Sequence, residues 1–184
     1  MDTAWNLATD LVRIDSSDPG AYEGRIEQHI KSLVEARIAK MPAKLAAAVG
    51  VEELEALPDR RNLMVTVPGT SDEPRLVYIC HMDTVTLGEG WSEGISPLGA
   101  QVIGDDLYGR GSCDMKGGLS CALSALFSLL GRVAGEKCLP RRGFSLICSV
   151  DEEDFMRGVE AAIRAGWVGP DEWVLDTEPT RRSY

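Results

Sequence analysis

The sequence has no excess of positive charge and no block of basic residues. Lysine and arginine together number 19, against 29 aspartates and glutamates, so the formal net charge is −10. A protein that binds a nucleic-acid backbone or an anionic membrane surface needs a basic patch that neutralises phosphate groups. The composition therefore excludes nucleic acid and anionic lipid as expected partners.

The sequence also has no sign of paired cysteines, a leader segment or a membrane span. The five cysteines are an odd number without a C-x-x-C pair, and the segment from Met1 to Trp5 has neither a basic nor an apolar stretch. This combination is typical of the reducing cytoplasm, where we expect the protein to be located. No apolar run reaches the roughly 18 residues of a membrane span, so we expect no membrane association.

Histidine is scarce, with only His29 and His81 in the whole chain. His29 lies in a predicted N-terminal helix beside Glu27, Gln28 and Lys31. Charged and polar neighbours of this kind are typical of the outer face of an amphipathic helix. We therefore expect His29 to be solvated and His81 to be the histidine with a chemical role.

His81 stands at the end of an apolar run. The run from Leu76 to Cys80 predicts a strand buried on both faces, and Asp83 follows two residues after His81. In α/β proteins the residues at the carboxyl ends of buried strands form the functional site. If His81 binds a metal through one ring nitrogen, Asp83 is close enough to accept a hydrogen bond from the other. The alternative is a core histidine paired with a carboxylate.

Predicted helices and strands alternate along the chain, with Asp2 or Thr3 as the cap of the first helix. This alternation predicts an α/β fold of three layers, with a mixed, mostly parallel sheet flanked by helices. The segment from Leu87 to Gly104 is predicted to be a long loop, a feature that favours a functional role. The predicted strands are 51–58, 62–67, 76–80, 144–150 and 173–175, and the predicted helices begin near residues 3, 22, 115 and 158.

Three further stretches place carboxylates next to predicted strands or helices. The segment 107–118 is rich in glycine, which permits tight turns that deliver Asp114 to the start of a helix. The acidic run 151–154 follows the strand 144–150, and Glu178 follows the strand 173–175. A glycine-rich turn before a helix also occurs in phosphate-binding loops, but the spacing fits neither of the common nucleotide-binding patterns.

These stretches would gather one imidazole and five carboxylates at one edge of the sheet. The carboxylate pKa values would rise unless cations lie among them, and Lys116 and Arg110 are too few. Two divalent metal ions are the simplest compensation, since imidazole and carboxylate ligands suit zinc, with cobalt or manganese as alternatives. The gathered residues are His81, Asp83, Asp114, Glu152, Glu153 and Glu178.

Two cysteines adjoin this predicted site. Cys80 precedes His81, and Cys113 precedes Asp114. Strand alternation points Cys80 away from the face of His81, and a free cysteine is commonly a small buried apolar residue. Thiolate ligation is therefore the less favoured alternative.

The order and spacing of these motifs resemble the acetylornithine deacetylase, succinyl-diaminopimelate desuccinylase and glutamate carboxypeptidase family of two-zinc exopeptidases and amidohydrolases. The resemblance extends from about Leu76 to Thr180. The motifs are His81-x-Asp83, Gly109-Arg110-Gly111-x-x-Asp114-Met115-Lys116-Gly117-Gly118, Asp151-Glu152-Glu153 and Glu178-Pro179-Thr180.

The resemblance implies a metal-binding role for four residues. His81 and Glu178 would be ligands of one metal, Glu153 would be a ligand of the second, and Asp114 would bridge both. Asp83 would orient His81 from behind.

The resemblance also implies the mechanism. Glu152 would be the general base, which takes a proton from a metal-activated water and returns it to the departing amine. An unusual cis peptide bond is implied at Asp114-Met115.

The implied substrate is a small N-acyl amino acid or a short peptide. The Asp-Met-Lys-Gly-Gly form is nearer to the deacylase branch, which favours cleavage of the amide bond of an N-acyl amino acid. The alternatives are a dipeptidase or carboxypeptidase of the same family and a non-catalytic fragment. A two-metal phosphoesterase is disfavoured by the Glu-Glu pair and the Glu-Pro-Thr segment.

The sequence departs from the family's pattern in two respects. The family uses a second metal-binding histidine from far downstream, and it carries an inserted lid and dimerisation domain. Neither is found in the 184 residues. We therefore expect residues 1–184 to be the N-terminal part of the catalytic domain of a homodimeric enzyme. The chain alone would then lack part of the metal site and most of the substrate-binding surface.

Overall fold

The computed structural model describes residues 3–179, which form layers of helices around a central sheet. The helices are α1 (Ala4–Val12), α2 (Gly24–Ile38), α3 (Ala43–Ala46), α4 (Lys116–Glu136) and α5 (Arg157–Arg164). The strands are β1 (Gly50–Leu57), β2 (Arg60–Val67), β3 (Leu76–His81), β4 (Gln101–Ile103), β5 (Asp106–Tyr108), β6 (Phe144–Ser149) and β7 (Trp173–Asp176).

The central sheet has five strands in the order β1-β2-β6-β3-β7. The pairs β1–β2 and β2–β6 are antiparallel, whereas β6–β3 and β3–β7 are parallel. The predicted class, a mixed sheet flanked by helices, is confirmed, with a larger antiparallel share than we expected. His81 lies opposite Ser149 in the parallel pair, so β3 and β6 end at the same edge of the sheet.

Alternation along the strands divides the core between the two faces of the sheet. Leu63 and Val65 of β2 face the larger cluster, which contains the buried residues of α1, α2 and α4. Met64, between them, faces a smaller cluster with Ala162 of α5 and Trp167. This division is the period-two pattern of a strand covered on both sides.

Helix α4 is long and apolar enough to cross a membrane, judged by length and composition alone, which differs from the expectation that no run has this length. Of its most apolar stretch, 39% is buried. Leu119, Leu123, Leu126 and Leu130 lie along one face of the helix and are buried in the larger cluster. A core helix needs such an apolar stripe, and the packing of α4 accounts for its composition.

The segment predicted as a single loop from Leu87 to Gly104 ends in a hairpin that the sequence analysis missed. Strands β4 and β5 pair antiparallel, with Ile103 opposite Asp106 across a two-residue turn. Gly104 has a φ of +62° in this turn, a region that glycine enters easily. A Gly-Asp turn between two short apolar runs was the signal that would have found the hairpin.

Two predictions concern residues near the ends of the chain: the cap of the first helix and the end of the fourth motif. Thr3 caps α1, because its hydroxyl oxygen accepts a hydrogen bond from the backbone N–H of Asn6. Asp2, the other predicted cap, and Thr180 of the fourth motif lie outside the described residues.

Candidate metal centre

Three segments bring His81, Asp114 and Glu178 together at one edge of the sheet. His81 is the last residue of β3, Asp114 lies in the glycine-rich turn before α4, and Glu178 follows β7. The turn can approach β7 because α4 has a glycine at its contact point. A Cβ atom at Gly118 would lie 2.5 Å from the carbonyl oxygen of Thr177.

The distances between these side chains suit joint coordination of an ion. The Nε2 atom of His81 lies 3.1 Å from Oδ1 of Asp114 and 3.3 Å from Oε1 of Glu178. One ligand atom from each of the three residues falls within 4.8 Å of the others. Tetrahedral ligands about 2.1 Å from a zinc ion are roughly 3.4 Å apart, close to these values.

The surroundings of His81 fix its tautomer. Its Nδ1 donates a hydrogen bond to the backbone carbonyl of Asp83 at 2.9 Å, and the Asp83 carboxylate lies 3.5 Å away. Because a carbonyl only accepts, the proton of the neutral ring is on Nδ1. The free Nε2 then faces the two carboxylates, and the orienting contact is made chiefly by the Asp83 carbonyl.

Glu152 and Glu153 also lie near His81. The carboxylate of Glu152 approaches Nε2 of His81 to 3.7 Å. The carboxylate of Glu153 accepts a hydrogen bond from the N–H of Val85 at 3.3 Å, and its own N–H donates to Asp83. Glu153 is not in the three-residue group within 4.8 Å that the described residues form around His81.

Burial and mutual repulsion raise the pKa values of the site's glutamates. Burial raises the pKa of Glu178 to about 7, and the charge of Asp114 adds to this effect. Burial also raises the pKa of Glu152 and that of Glu153. For His81, burial lowers the pKa, but the hydrogen bond and charge of Asp83 and the neighbouring glutamates raise it to about 9. The site is therefore short of positive charge.

The two basic residues of the glycine-rich motif do not supply that charge. The Nζ of Lys116 donates to the carbonyl of Ile14 at 2.7 Å, and burial lowers the pKa of this lysine to about 8. Arg110 lies over the ring of Trp91 and donates to the carbonyl of Leu87. Among residues 3–179, the carboxylates of Asp114, Glu152 and Glu178 have His81 as their ion-pair partner and no lysine or arginine. An imidazole with several carboxylates is a donor set that fits a divalent metal ion.

The sequence matches Peptidase family M20/M25/M40 over residues 77–180, which is more than half of the chain. The chain belongs to this family. The resemblance inferred from the motifs is thereby confirmed. The predicted cis peptide bond at Asp114-Met115 is also present in this M20 family chain.

Two sequence relatives of this M20 family chain carry the name succinyl-diaminopimelate desuccinylase. A succinyl-diaminopimelate desuccinylase from Methylobacterium radiotolerans is 36% identical over 132 residues, which are 71% of this chain and 31% of the relative. A second, from Rhodopseudomonas palustris, is 30% identical over 83% of this chain and 36% of its own length. The chain thus spans about a third of these relatives.

Solved structures show the same fold at lower identity. The Bacillus subtilis YxeP protein, described as a dinuclear metal-binding peptidase of the M20 family, superposes with a TM-score of 0.63 at 15% identity. The alignment covers 94% of this chain and 41% of that protein. The family therefore includes proteins that bind two metal ions.

Cys80 and Cys113 of this M20 family chain lie outside the group of possible metal ligands that the described residues form around His81. Cys80 is buried with its sulfur 3.2 Å from the hydroxyl of Thr177, and burial raises the pKa of its thiol to about 12. Cys113 is exposed, and neither joins the group around His81. The prediction that Cys80 faces away from the ligands agrees with this placement.

His29 differs from its predicted position. It is half-buried on α2, and its Nε2 is buried without a hydrogen-bond partner among residues 3–179. The expected solvated position is wrong, because α2 packs closely enough to cover part of the ring. The described residues form two groups of possible metal ligands, one around His81 and one around Asp83. His29 belongs to neither group.

A buried ionic network that no sequence pattern predicted lies beneath the site. Asp18, Glu23 and Asp83 form a second group of carboxylates within 4.8 Å, and all three are buried. Arg60 lies against the first two. No short-range pattern joins these residues, since they come from three separate segments, and so no sequence signal was available.

Proposed function

We propose that this chain is the metal-binding part of an M20 family hydrolase that cleaves the amide bond of an N-acyl amino acid. The observation that carries the proposal is the convergence of His81, Asp114 and Glu178 beside Glu152. The desuccinylase names of two relatives support an acylated amino acid as the substrate class. Dipeptide hydrolysis is the close variant, favoured by the peptidases among the solved structures.

The positions of the side chains support the ligand assignment that the resemblance implies. His81 and Glu178 would hold the first ion, and Asp114 would bridge it to a second ion near Glu153. Asp114 is the charge that raises the pKa of Glu153 most after burial, which supports their sharing one ion. Zinc is the preferred metal because of the imidazole and carboxylate donors, and cobalt or manganese would fit the same set. When bound, such ions would polarise the scissile carbonyl and lower the pKa of water.

The chain's own residues would then move the proton. Glu152 lies beside the ligands and is partly buried, and burial raises the pKa of its carboxyl group. A base with a raised pKa takes a proton from the attacking water more readily and can return it to the departing amine. His81 is held in one orientation by Asp83, so the ligand does not have to be ordered when substrate arrives.

The wider organisation is also part of the proposal. Residues 1–184 would form the N-terminal part of the catalytic domain, since the chain spans about a third of its desuccinylase relatives. A longer form would supply the second metal-binding histidine and the dimer contacts. All five cysteines are free, which supports a cytoplasmic location.

Two glutamate substitutions separate the base from the ligands. A longer form that carries the second metal-binding histidine is loaded with zinc and assayed against N-succinyl and N-acetyl amino acids. Its metal content is measured by mass spectrometry. Glu152→Gln should lower kcat by at least about 100-fold while the metal is retained, because only the proton acceptor is lost. Glu178→Gln, the matched control, should lose metal and activity together. Equal loss of metal in both variants would make Glu152 a ligand and contradict its role as base.

A further inference from the structure

The segment that carries Glu152 and Glu153 is held by side chains from elsewhere in the chain. We call residues 150–153 the carboxylate loop. The N–H groups of Val150, Asp151 and Glu153 donate to side-chain oxygens at 3.1, 3.1 and 3.0 Å. The acceptors are, in order, Asn62, Glu23 and Asp83. The position of this loop therefore depends on the side chains that bind it.

Arg60, at the start of β2, binds one of these acceptors, Glu23, and two further carboxylates. Its Nε and Nη2 atoms bind both oxygens of Glu23, at 2.8 and 2.5 Å. Nη2 also donates to Asp18 at 2.6 Å, and Nη1 donates to Asp151 at 3.1 Å. The guanidinium group lies over the ring of Tyr22. One arginine thus spans three carboxylates, two from the connection between α1 and α2 and one from the carboxylate loop.

Two of the three carboxylates adjoin the candidate metal centre. Asp151 directly precedes Glu152. The N–H of Asp18 donates to the carbonyl of Thr84 at 2.8 Å, and Thr84 follows Asp83. Arg60 therefore connects the segment of Asp18, which is hydrogen-bonded to Thr84, with the carboxylate loop. It contacts neither His81 nor Glu152.

The conformation of the loop explains why it needs such support. Asp151 has a φ of +64°, in the left-handed region that residues other than glycine rarely adopt. It is held there by Arg60 and by Arg157, whose guanidinium group binds both carboxylate oxygens of Asp151. Asn62, two residues beyond Arg60 in β2, binds the preceding N–H, as expected for residues on one face of a strand.

We propose that Arg60 is a positioning residue that sets the place of the carboxylate loop relative to His81. The importance of this position for catalysis rests on the function proposed above, but the positioning itself does not. A planar guanidinium group binds three carboxylates in fixed directions, whereas a lysine ammonium keeps the charge without that geometry. Arg60→Lys should therefore loosen the loop without leaving the buried carboxylates uncompensated.

Arg75 offers a matched control at the other end of the sheet. Arg75 directly precedes β3. Its guanidinium group binds both oxygens of Glu172 at 2.6 and 2.9 Å, and it also donates to the hydroxyl of Ser145 and to the carbonyl of Trp167. Arg75→Lys makes the same chemical change at a similar ion pair. It should loosen the N–H of Gly169, which donates to Glu172, and leave the carboxylate loop unchanged.

The test is to measure the rates of amide hydrogen exchange in the metal-free chain by NMR. Arg60→Lys should speed exchange of the Asp151 and Glu153 amides by at least about ten-fold, and Arg75→Lys should change them less than about two-fold. Asp18→Asn, which removes one arm of the network, should give the same local pattern as Arg60→Lys. Equal exchange at the loop in the Arg60 and Arg75 variants would overturn the positioning role.

Zinc affinity, measured on the same proteins with a competing chelator, separates this inference from the proposed function. Arg60→Lys should weaken binding by about ten-fold, as loss of a supporting contact behind metal ligands does, and Arg75→Lys should leave it unchanged. If wild type binds no zinc, the proposed function is overturned. If Arg60→Lys still shows faster exchange only at the carboxylate loop, the positioning role is supported even then. If wild type binds zinc and Arg60→Lys leaves exchange at the carboxylate loop unchanged, the proposed function is supported and the positioning role is overturned.

Discussion

At the residue scale, Glu27 is a buried carboxylate outside the candidate metal centre. It lies on α2, and one of its oxygens is buried without a hydrogen-bond partner among the described residues. Burial raises its pKa to about 7, and the charge of Glu53 adds to the shift. Glu53 is itself paired with Lys31, so that lysine is not free to neutralise Glu27 fully.

This shift makes the stability of the fold depend on pH. The pKa of Glu27 is higher in the folded chain, at about 7, than its ordinary value of 4.5. The folded state therefore binds the proton more tightly than the unfolded state does. The contribution of Glu27 to the free energy of unfolding is fully present below pH 4.5 and is lost as the pH rises through 7. The expected loss for this residue is on the order of 3 kcal/mol.

Glu27→Gln should remove this dependence. Urea unfolding at pH 5 and pH 8 should show wild type losing stability relative to the variant at the higher pH, because the glutamine cannot ionise. Glu35→Gln, at an exposed position of the same helix, is the control and should follow wild type. An equal change between the two pH values in all three proteins would show that Glu27 does not ionise with a raised pKa.

Single residues differ in how far the sequence reveals them. His81, Asp114 and Glu178 stand next to strand ends or in a glycine-rich turn, so local patterns predicted that they would lie together. Arg60 reads locally as an ordinary residue at the start of a strand. Its partners lie 37 to 91 positions away along the chain, and a single sequence gives no indication of such contacts.

At the scale of elements, close contact between α4 and the end of β7 shapes the candidate metal centre. Gly118 lies against Thr177, and a Cβ atom there would be 2.5 Å from a backbone oxygen and 2.9 Å from the hydroxyl. Backbone cannot move aside as a flexible side chain can. The second glycine of the Asp-Met-Lys-Gly-Gly segment is therefore required by packing, and it sets the distance between α4 and the segment of Glu178.

Two glycines of α4 give opposite predictions. Gly118→Ala should destabilise the fold by about 1–3 kcal/mol, since the added methyl group overpacks the contact. Gly131→Ala meets open space and should stabilise the helix by about 0.5–1 kcal/mol. Thermal unfolding measures both, and zinc affinity should fall only in the first. A neutral Gly118→Ala with unchanged zinc affinity would mean that this contact does not shape the site.

Elements with strong periodicity were predictable, and short ones were not. The strands β2, β3 and β6 combine apolar runs with turn residues on both sides, and the structure has them within two residues of the predicted bounds. The three-residue strands β4 and β5 carry too few side chains for a periodic pattern. Only their Gly-Asp turn indicated them.

At the scale of the whole molecule, the fold concentrates negative charge at one edge of the sheet. The parallel strands β6, β3 and β7 all end there, and the carboxylates that follow them meet around a buried histidine. The chain has a net charge of −10, and the two basic residues of the glycine-rich motif, Lys116 and Arg110, are directed elsewhere. Divalent metal ions would remove the imbalance and stabilise the edge.

Metal content is the most direct test of this account. Wild type, His81→Ala and His29→Ala are exposed to zinc, dialysed and measured by inductively coupled plasma mass spectrometry. Wild type and His29→Ala should retain at least one zinc ion per chain, and His81→Ala should retain none, because its imidazole joins the two carboxylates. A wild-type chain without zinc, or an unchanged zinc content in His81→Ala, would contradict the account.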